Sequence, residues 1–456
     1  MDDKIIKYYF GIIILSTNLI FAQGTEFEII YPTFGVSYGW DVLEKQDGGF
    51  LVAGSITPFS TSVLIMNVDF NGDLISEKHL CPGLIRSITY SDSNNYILAG
   101  ITNDNEDILI IKINSYGDTL WTKVINKPFE EYATKIIQTS DGGYAIIGWI
   151  RNNNLDFYLI KTDANCDTVW TKSYGGYDTD LSYDIRQLPD NGFIIAGTTS
   201  GGSELNYHSS AYVVRTDSIG NTIWSKSYPI NGSADCNGIV SLSNGEFVLA
   251  GSTLNNQNNS SELFLLKINQ AGDSILVKTY EDIYHGISSI QLTFDDNLVL
   301  VGGNEILKTD NEGNKIWSKI ISGNGLSIKE TSDYGYIISG VSTDGNYNIL
   351  LCKVTRNGTV GIEKNISVTN GYMLFQNYPN PFNSSTNIKF IISTSGQTTL
   401  KIYDLLGNEI STLINQYLEN GEYEIEFNAK YFSTGIYFYR ILSGNYSESK
   451  KLIYLK

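Results

Sequence analysis

A glycine that closes a short apolar strand returns seven times, at Gly54, Gly100, Gly148, Gly197, Gly251, Gly302 and Gly340, with a period of about 48 residues. Periods of this size belong to arrays in which each unit is one supersecondary motif that buries its apolar face only against its neighbours. The third copy shows the unit most clearly. "ATKIIQTS" meets the turn "DGG", "YAIIGWI" follows, and a polar loop leads to "DFYLIKTD", a turn "ANCD" and "TVWTKSY". Glycine in "DGG" supplies the positive φ that a tight hairpin needs. The reading is four antiparallel strands per unit. Helical arrays are excluded, because the apolar runs are too short to sustain a 3.6-residue period.

Four short strands per repeat match one blade of a β-propeller, in which radial repetition hides most strand edges. A β-solenoid is the competing all-β repeat, but its coils carry about twenty residues and lack this hairpin chemistry. Closure sharpens the expectation. "FEIIYPTFG", from Phe27, reads as a fourth strand with no preceding three, which predicts pairing of Phe27 to Thr33 with the third strand of the seventh copy, around Tyr347 to Val354. Seven blades follow. The fourth strands carry Lys123, Lys172, Lys226, Lys278 and Lys319, read as blocks to edge pairing, beside Trp121, Trp170, Trp224 and Trp317, read as packing between blades.

The two ends differ from the repeats. Residues 1–22 pair Lys4 and Lys7 with an apolar run too short to span a bilayer, so they read as a secretory signal cut after Ala22, with no transmembrane anchor in the mature chain. "NYPNPFNSSTNIKF" opens a different region, in which Pro379 and Pro381 stiffen a hinge. Alternating runs then read as a small Ig-like β-sandwich. The expected organisation is a signal peptide at 1–22, a propeller at 24–365, a proline-rich linker at 366–384 and a C-terminal domain at 372–456.

That last region carries a resemblance. "NYPNPFNSST", "LKIYDLLGNEI", "NGEYEIEF", "STGIYFYRI" and "KKLIYLK" resemble, in order, the C-terminal sorting domain of proteins exported by the type IX secretion system of the Bacteroidetes. Its motif falls on Tyr378, Pro379, Asn380, Pro381, Phe382 and Asn383. The resemblance implies export through the periplasm, handling by the type IX machinery, and a secreted or surface location. The repeats also resemble "DGGY" arrays of secreted bacterial proteins, which implies a fold and no particular activity.

No catalytic group is legible. No nucleophile elbow, zinc helix or Cys/His cluster is present, and Cys81, Cys166, Cys236 and Cys352 lie far apart, as do His79, His208 and His285. Acidic residues gather where one repeat passes to the next: Glu130, Glu131, Asp178, Asp180, Asp235, Glu281 and Asp282. A propeller would put these connections on one face, as an acidic rim suited to calcium or a cationic partner. With a formal net charge of -18, nucleic acid is excluded as a partner. No cofactor other than calcium is expected. The leading expectation is a non-catalytic binding or adhesion module with a surface glycan or protein ligand; the alternative is a surface hydrolase or lyase acting on extracellular polymers.

Overall fold

The computed structural model describes residues 26–359 and 372–455, apart from 34, 58–60, 93, 104–106, 127–128, 202–207, 256–259, 281–285, 376, 378–379, 381, 431 and 445. The proposed leader and its cut after Ala22 lie outside the described residues, as does the linker up to residue 371.

Residues 26–359 form seven four-stranded antiparallel sheets, one per repeat, so the chain is all-β with a seven-bladed propeller. Blade 3 is typical: Glu131–Gln138, Tyr144–Asn152, Asn154–Thr162 and Thr168–Tyr174 pair in sequence order. Its two middle strands are nearly continuous in apolar residues because neighbouring blades cover both faces. Its outermost strand is exposed or half-buried along all but its last residue, Tyr174. Blade 7 is assembled from both ends, where Phe27–Tyr31 joins Ile349–Val354 with Phe27 opposite Lys353 and Tyr31 opposite Ile349. The closure predicted from the orphan strand is therefore observed. A shared core of Phe27, Ile29, Ile337 and Leu351 with Val42, Val52 and Met66 seals blade 7 to blade 1.

One device repeats at the rim. The hydroxyl of the tyrosine ending a fourth strand donates to a glycine carbonyl in the next blade's turn: Tyr174 to Gly220 at 2.8 Å and Tyr228 to Gly272 at 2.7 Å. Ring closure uses the same bond, Tyr31 to Gly72 at 2.6 Å. Trp224 and Trp317 pack over Gly272 and Gly358, whose φ values of +76° let the turns lie flat beneath the indoles. Fourth-strand lysines do more than guard an edge. Lys123 reaches Asp167 and Lys226 reaches Asp273 in the following blade, at 2.6 and 2.8 Å. Within blades, the lysine of "IKTD" pairs with the aspartate of "DGG", as in Lys161 to Asp141 at 2.8 Å. Blade 1 has Asn67 at that place in its third strand, and Lys45 instead reaches Asp47, at 2.9 Å.

The C-terminal region is a two-sheet sandwich. Met373–Leu374, Ser385–Ile392 and Gly421–Asn428 form one sheet; Glu409–Leu418, Gly396–Tyr403, Gly435–Ser443 and Tyr446–Tyr454 form the other. Ile388, Phe390, Leu400, Ile402, Tyr439 and Leu452 fill the space between them. Of the six motif residues, Tyr378, Pro379 and Pro381 lie outside the described residues. Phe382 is buried and bridges in parallel to Tyr454, Asn380 accepts the Ile453 N–H at 2.8 Å, and Asn383 is exposed. The described part of the motif thus pins the start of the sandwich to its last strand.

Candidate functional site

The seven glycines that mark the repeat also shape the centre of the propeller. Each faces a main-chain carbonyl in the blade's first strand, or in blade 6 just before it, so closely that a β-carbon could not be added: one at Gly148 would lie 1.5 Å from the Tyr132 oxygen, and one at Gly100 would lie 1.9 Å from the Leu84 oxygen. Six of the seven first strands bulge there, as at Gly39/Asp41, Ile85/Ser87 and Ser182/Asp184. A bulge re-aims the extra residue. Here the extra residues are Trp40, Arg86, Thr134, Tyr183, Asn237 and Leu326, and all line a central channel of about 1310 Å³. Each stands fourteen positions before its glycine, as Trp40 does before Gly54 and Arg86 before Gly100, and Ser288 keeps that count in blade 6.

At one mouth these side chains join neighbours in a stacked wall. Tyr38 and Trp40 stack at 4.9 Å, and Tyr132 and Trp149 stack at 4.4 Å. The Arg86 guanidinium lies 3.7 Å above the Trp40 ring and 5.9 Å from that of Tyr132. Such cation–π contact orients a planar guanidinium. Trp40 is fixed in turn by its indole N–H, which donates to Ser55 at 2.9 Å. Among the described residues Arg86 has no carboxylate partner, its Nε is buried without an acceptor, and its one hydrogen bond is a long 3.5 Å contact to the Tyr132 hydroxyl. Tyr183 stands near both Arg86 and Asp235; burial first, then Asp235, pushes its phenol up, with Arg86 opposing.

Deeper in, a charged waist crosses the channel. Asp41 is fully buried and accepts from Ser327 at 2.6 Å, Ser87 at 3.1 Å and the backbone N–H of Ile88 at 3.2 Å, with Lys135 at 3.4 Å and Lys329 at 3.7 Å. Burial alone would raise its carboxyl; the two lysines, the Ser327 hydroxyl and the Ile88 N–H hold it far below the usual carboxylate range. Asp184 in blade 4 repeats the device, accepting from Arg186 at 2.5 Å and from the Ile239 N–H of the next blade at 3.0 Å. Burial pushes the Lys329 ammonium down to about 8, with Asp41 opposing and Lys135 and Arg186 adding to the effect.

The acidic rim is dispersed. Glu130 is exposed and paired with Arg151 at 2.5 Å, Glu131 is buried against Tyr158, and of the five that are described only Asp235 lines the channel. Glu281 and Asp282 lie outside the described residues, with His285. Asp178 and Asp180 gather with Asp156, a residue the sequence pattern did not single out, at the junction of blades 3 and 4. Gly175 leaves room for them: a β-carbon there would lie 2.2 Å from Asp156 Oδ1 and 2.5 Å from Asp180 Oδ2. Burial raises both carboxyls, and Asp156 and Asp178 raise Asp180 further. Among the described residues no group of three His, Cys, Asp or Glu side chains is arranged to hold a metal ion. His208 is exposed at the start of a third strand, and the four cysteines are free.

Residues 376–455 match the family model for the secretion system C-terminal sorting domain. The chain is therefore exported, to the cell surface or beyond it, by type IX secretion and is handled by that machinery. Among the described residues no helix is long and apolar enough to cross a membrane. Of solved structures, the WD40 domain of Neurospora crassa Pan2 is 14% identical, with 75% of this chain and 97% of that one covered at a TM-score of 0.50, a likeness of fold alone. The Dos1 propeller, at 13% identity, covers 69% of this chain and 77% of its own with a TM-score of 0.45, and BamB from Moraxella catarrhalis, at 10%, covers 72% and 98%, also at 0.45. No curated protein matches the chain.

Proposed function

We propose that the exported chain is a binding module whose ligand site is the propeller channel at its aromatic mouth. The wall of Tyr38, Trp40, Arg86, Tyr132 and Trp149 carries this reading, because flat faces held rigid at the edge of a deep concavity are how proteins grip ring-bearing ligands. The channel's carboxylates support binding over chemistry. Asp41 is held ionised by lysines and hydrogen bonds and Asp184 is engaged by Arg186, which leaves Asp235 as the single carboxylate of the described lining without a cation partner, where paired acid and base chemistry needs two groups. The desolvated pair Asp156 and Asp180, whose raised carboxyls would suit a hydrolase or lyase, does not line the channel.

Immobilised mature chain, challenged with soluble extracellular polysaccharides and proteins, tests the proposal. Retention with no change in polymer length is expected, and Trp40→Ala should weaken it. Progressive shortening, or the appearance of unsaturated ends, would establish the hydrolase or lyase reading instead.

A further inference from the structure

The charge of the channel opposes that of the chain. Its lining holds four cations, Arg86, Lys135, Arg186 and Lys329, against Asp184 and Asp235, with Asp41 buried behind the waist. That is one positive charge in excess, inside a chain of formal net charge -18. Most cations elsewhere in the propeller have an acid partner: Lys161 has Asp141, Lys308 has Asp295, and Lys353 has Asp333. Arg86 has none among the described residues, although its plane is clamped by aromatic rings and its Nε is buried. A half-buried guanidinium whose Nε has no acceptor and whose one bond is a long contact to a phenol is poorly satisfied, and a ligand carboxylate would meet it in a fork-to-fork pair.

Resting on the reading of the channel as a ligand site, we infer that the channel binds an acidic oligosaccharide whose sugar ring carries a carboxylate. The ring lies against the Trp40–Tyr132 wall and the carboxylate meets Arg86. Three observations narrow the class to this one. The excess is a single charge, and Asp235 stands at the same mouth near Tyr183, so a monoanion fits better than a phosphate dianion. Opposite the wall the lining is a fence of small hydroxyl and amide groups, Ser200, Ser209, Ser233, Asn237 and Ser252, which offers the many weak donors and acceptors that sugar hydroxyls require. Ser209 and Ser233, 2.6 Å apart, show that the fence is an ordered hydrogen-bonding surface. Finally, about 1310 Å³ exceeds what one sugar ring fills, so several linked rings are accommodated.

The test is an array of uronate- and sialate-bearing oligosaccharides, each beside its methyl ester, which keeps the ring and removes the charge. It is probed with the full mature chain, the Arg86→Gln chain and the Arg86→Lys chain, after melting curves confirm that both variants fold. The expected result is retention of acids over their esters by about tenfold or more, loss of that preference in Arg86→Gln, and partial recovery in Arg86→Lys, which restores charge without the fork. Acids and esters retained equally would overturn the inference while leaving the channel a binding site. Retention of neither, with polysaccharides and proteins also unbound, would overturn both.

Discussion

The rim and the channel of the propeller are built from the same seven repeats, yet the rim is nearly uniform and the channel is not. At the rim, Tyr31, Tyr174, Tyr228 and Tyr280 make one bond four times over, and Trp224 and Trp317 cover their glycines alike. At the channel, the bulge positions carry Trp40, Arg86, Thr134, Tyr183, Asn237 and Leu326, no two the same. The physical demand differs. A rim side chain must fit a turn of the next blade, so each solution constrains the next, whereas a bulge residue lines the channel and makes contacts particular to its own blade, as Trp40 does with Ser55 and Asn237 with the Ile287 carbonyl. Uniform positions therefore build the ring, and divergent ones are where a ligand can be read.

The glycine behind each bulge is where the two regimes meet, and Gly148→Ala should have the largest effect. Its new β-carbon would fall 1.5 Å from the Tyr132 carbonyl, so the strand must shift and carry Tyr132 away from Trp149. A loss of about 4 kcal/mol or more is expected in denaturant unfolding, with weakened ligand retention. Gly142→Ala, in the "DGG" turn, is the control. It has φ +82° with nothing within 4 Å, so it should cost only the left-handed strain of about 1–2 kcal/mol. Equal costs at the two positions would mean that the close approach to the Tyr132 carbonyl is not what makes the repeat glycine necessary.

Next in size is Asp41→Ala. It strips Lys135 and Lys329 of their shared partner and leaves the Ser87 and Ser327 hydroxyls facing a void, at an expected cost of about 3–5 kcal/mol. The pH profile carries the signature. Because the folded carboxyl sits below its ordinary value, Asp41 stabilises the native chain above about pH 4, and that contribution fades as the pH falls further. Lys329 works the other way: with its ammonium lowered to about 8, the cost of keeping it charged is full below that pH and is relieved as the pH climbs toward the ordinary lysine value. Melting curves of the native chain should therefore rise between pH 8 and 10 on this account, and Lys329→Met should flatten that rise.

How much of this could be read from sequence follows the same division. Counting Gly54 to Gly340 fixes the blade number, and the orphan strand at Phe27 reveals the closure, because both depend on local pattern. The waist was invisible: Asp41 meets Lys135 across 94 residues and Ser327 across 286, and no local spacing encodes such pairs. The acidic rim failed as a single cluster for a related reason. Residues adjacent in sequence on a strand point to opposite faces, so Glu131 turns inward against Tyr158 while Glu130 stays outside with Arg151. The channel wall was legible in principle, since Trp40, Arg86 and Tyr183 all fall fourteen residues before a repeat glycine. What hid it was that a bulge, unlike a turn, has no composition of its own.

A smaller effect, of about 1 kcal/mol, is expected for Tyr228→Phe, which deletes the hydroxyl bonded to the Gly272 carbonyl. Tyr31→Phe removes the same bond where the chain's two ends meet. If every blade junction contributes alike, the two losses should match in thermal melts. A markedly larger loss for Tyr31→Phe would mean that stability is concentrated at the closure and that the rim is less uniform than its geometry.

The smallest effect should have the opposite sign. Asp180 is pressed by Asp156 and Asp178 in a desolvated corner, and its carboxyl is raised, so ionising it destabilises the fold above the ordinary carboxylate range and costs nothing below it. Asp180→Asn keeps an acceptor for the Gly176 N–H and removes the charge, so a rise in Tm of about 1–2 °C is expected at pH 7, vanishing near pH 4. Calcium decides what the corner is for. Were the three aspartates to hold a cation, added calcium would raise the Tm of the native chain and not of the variant, because a ligand selective for the folded state must stabilise it. The asparagine would then be destabilising in calcium and stabilising in chelator. A gain that is the same in both would leave the corner as repulsion tolerated at the junction of two blades, and the channel as the place where this propeller departs from repetition for a purpose.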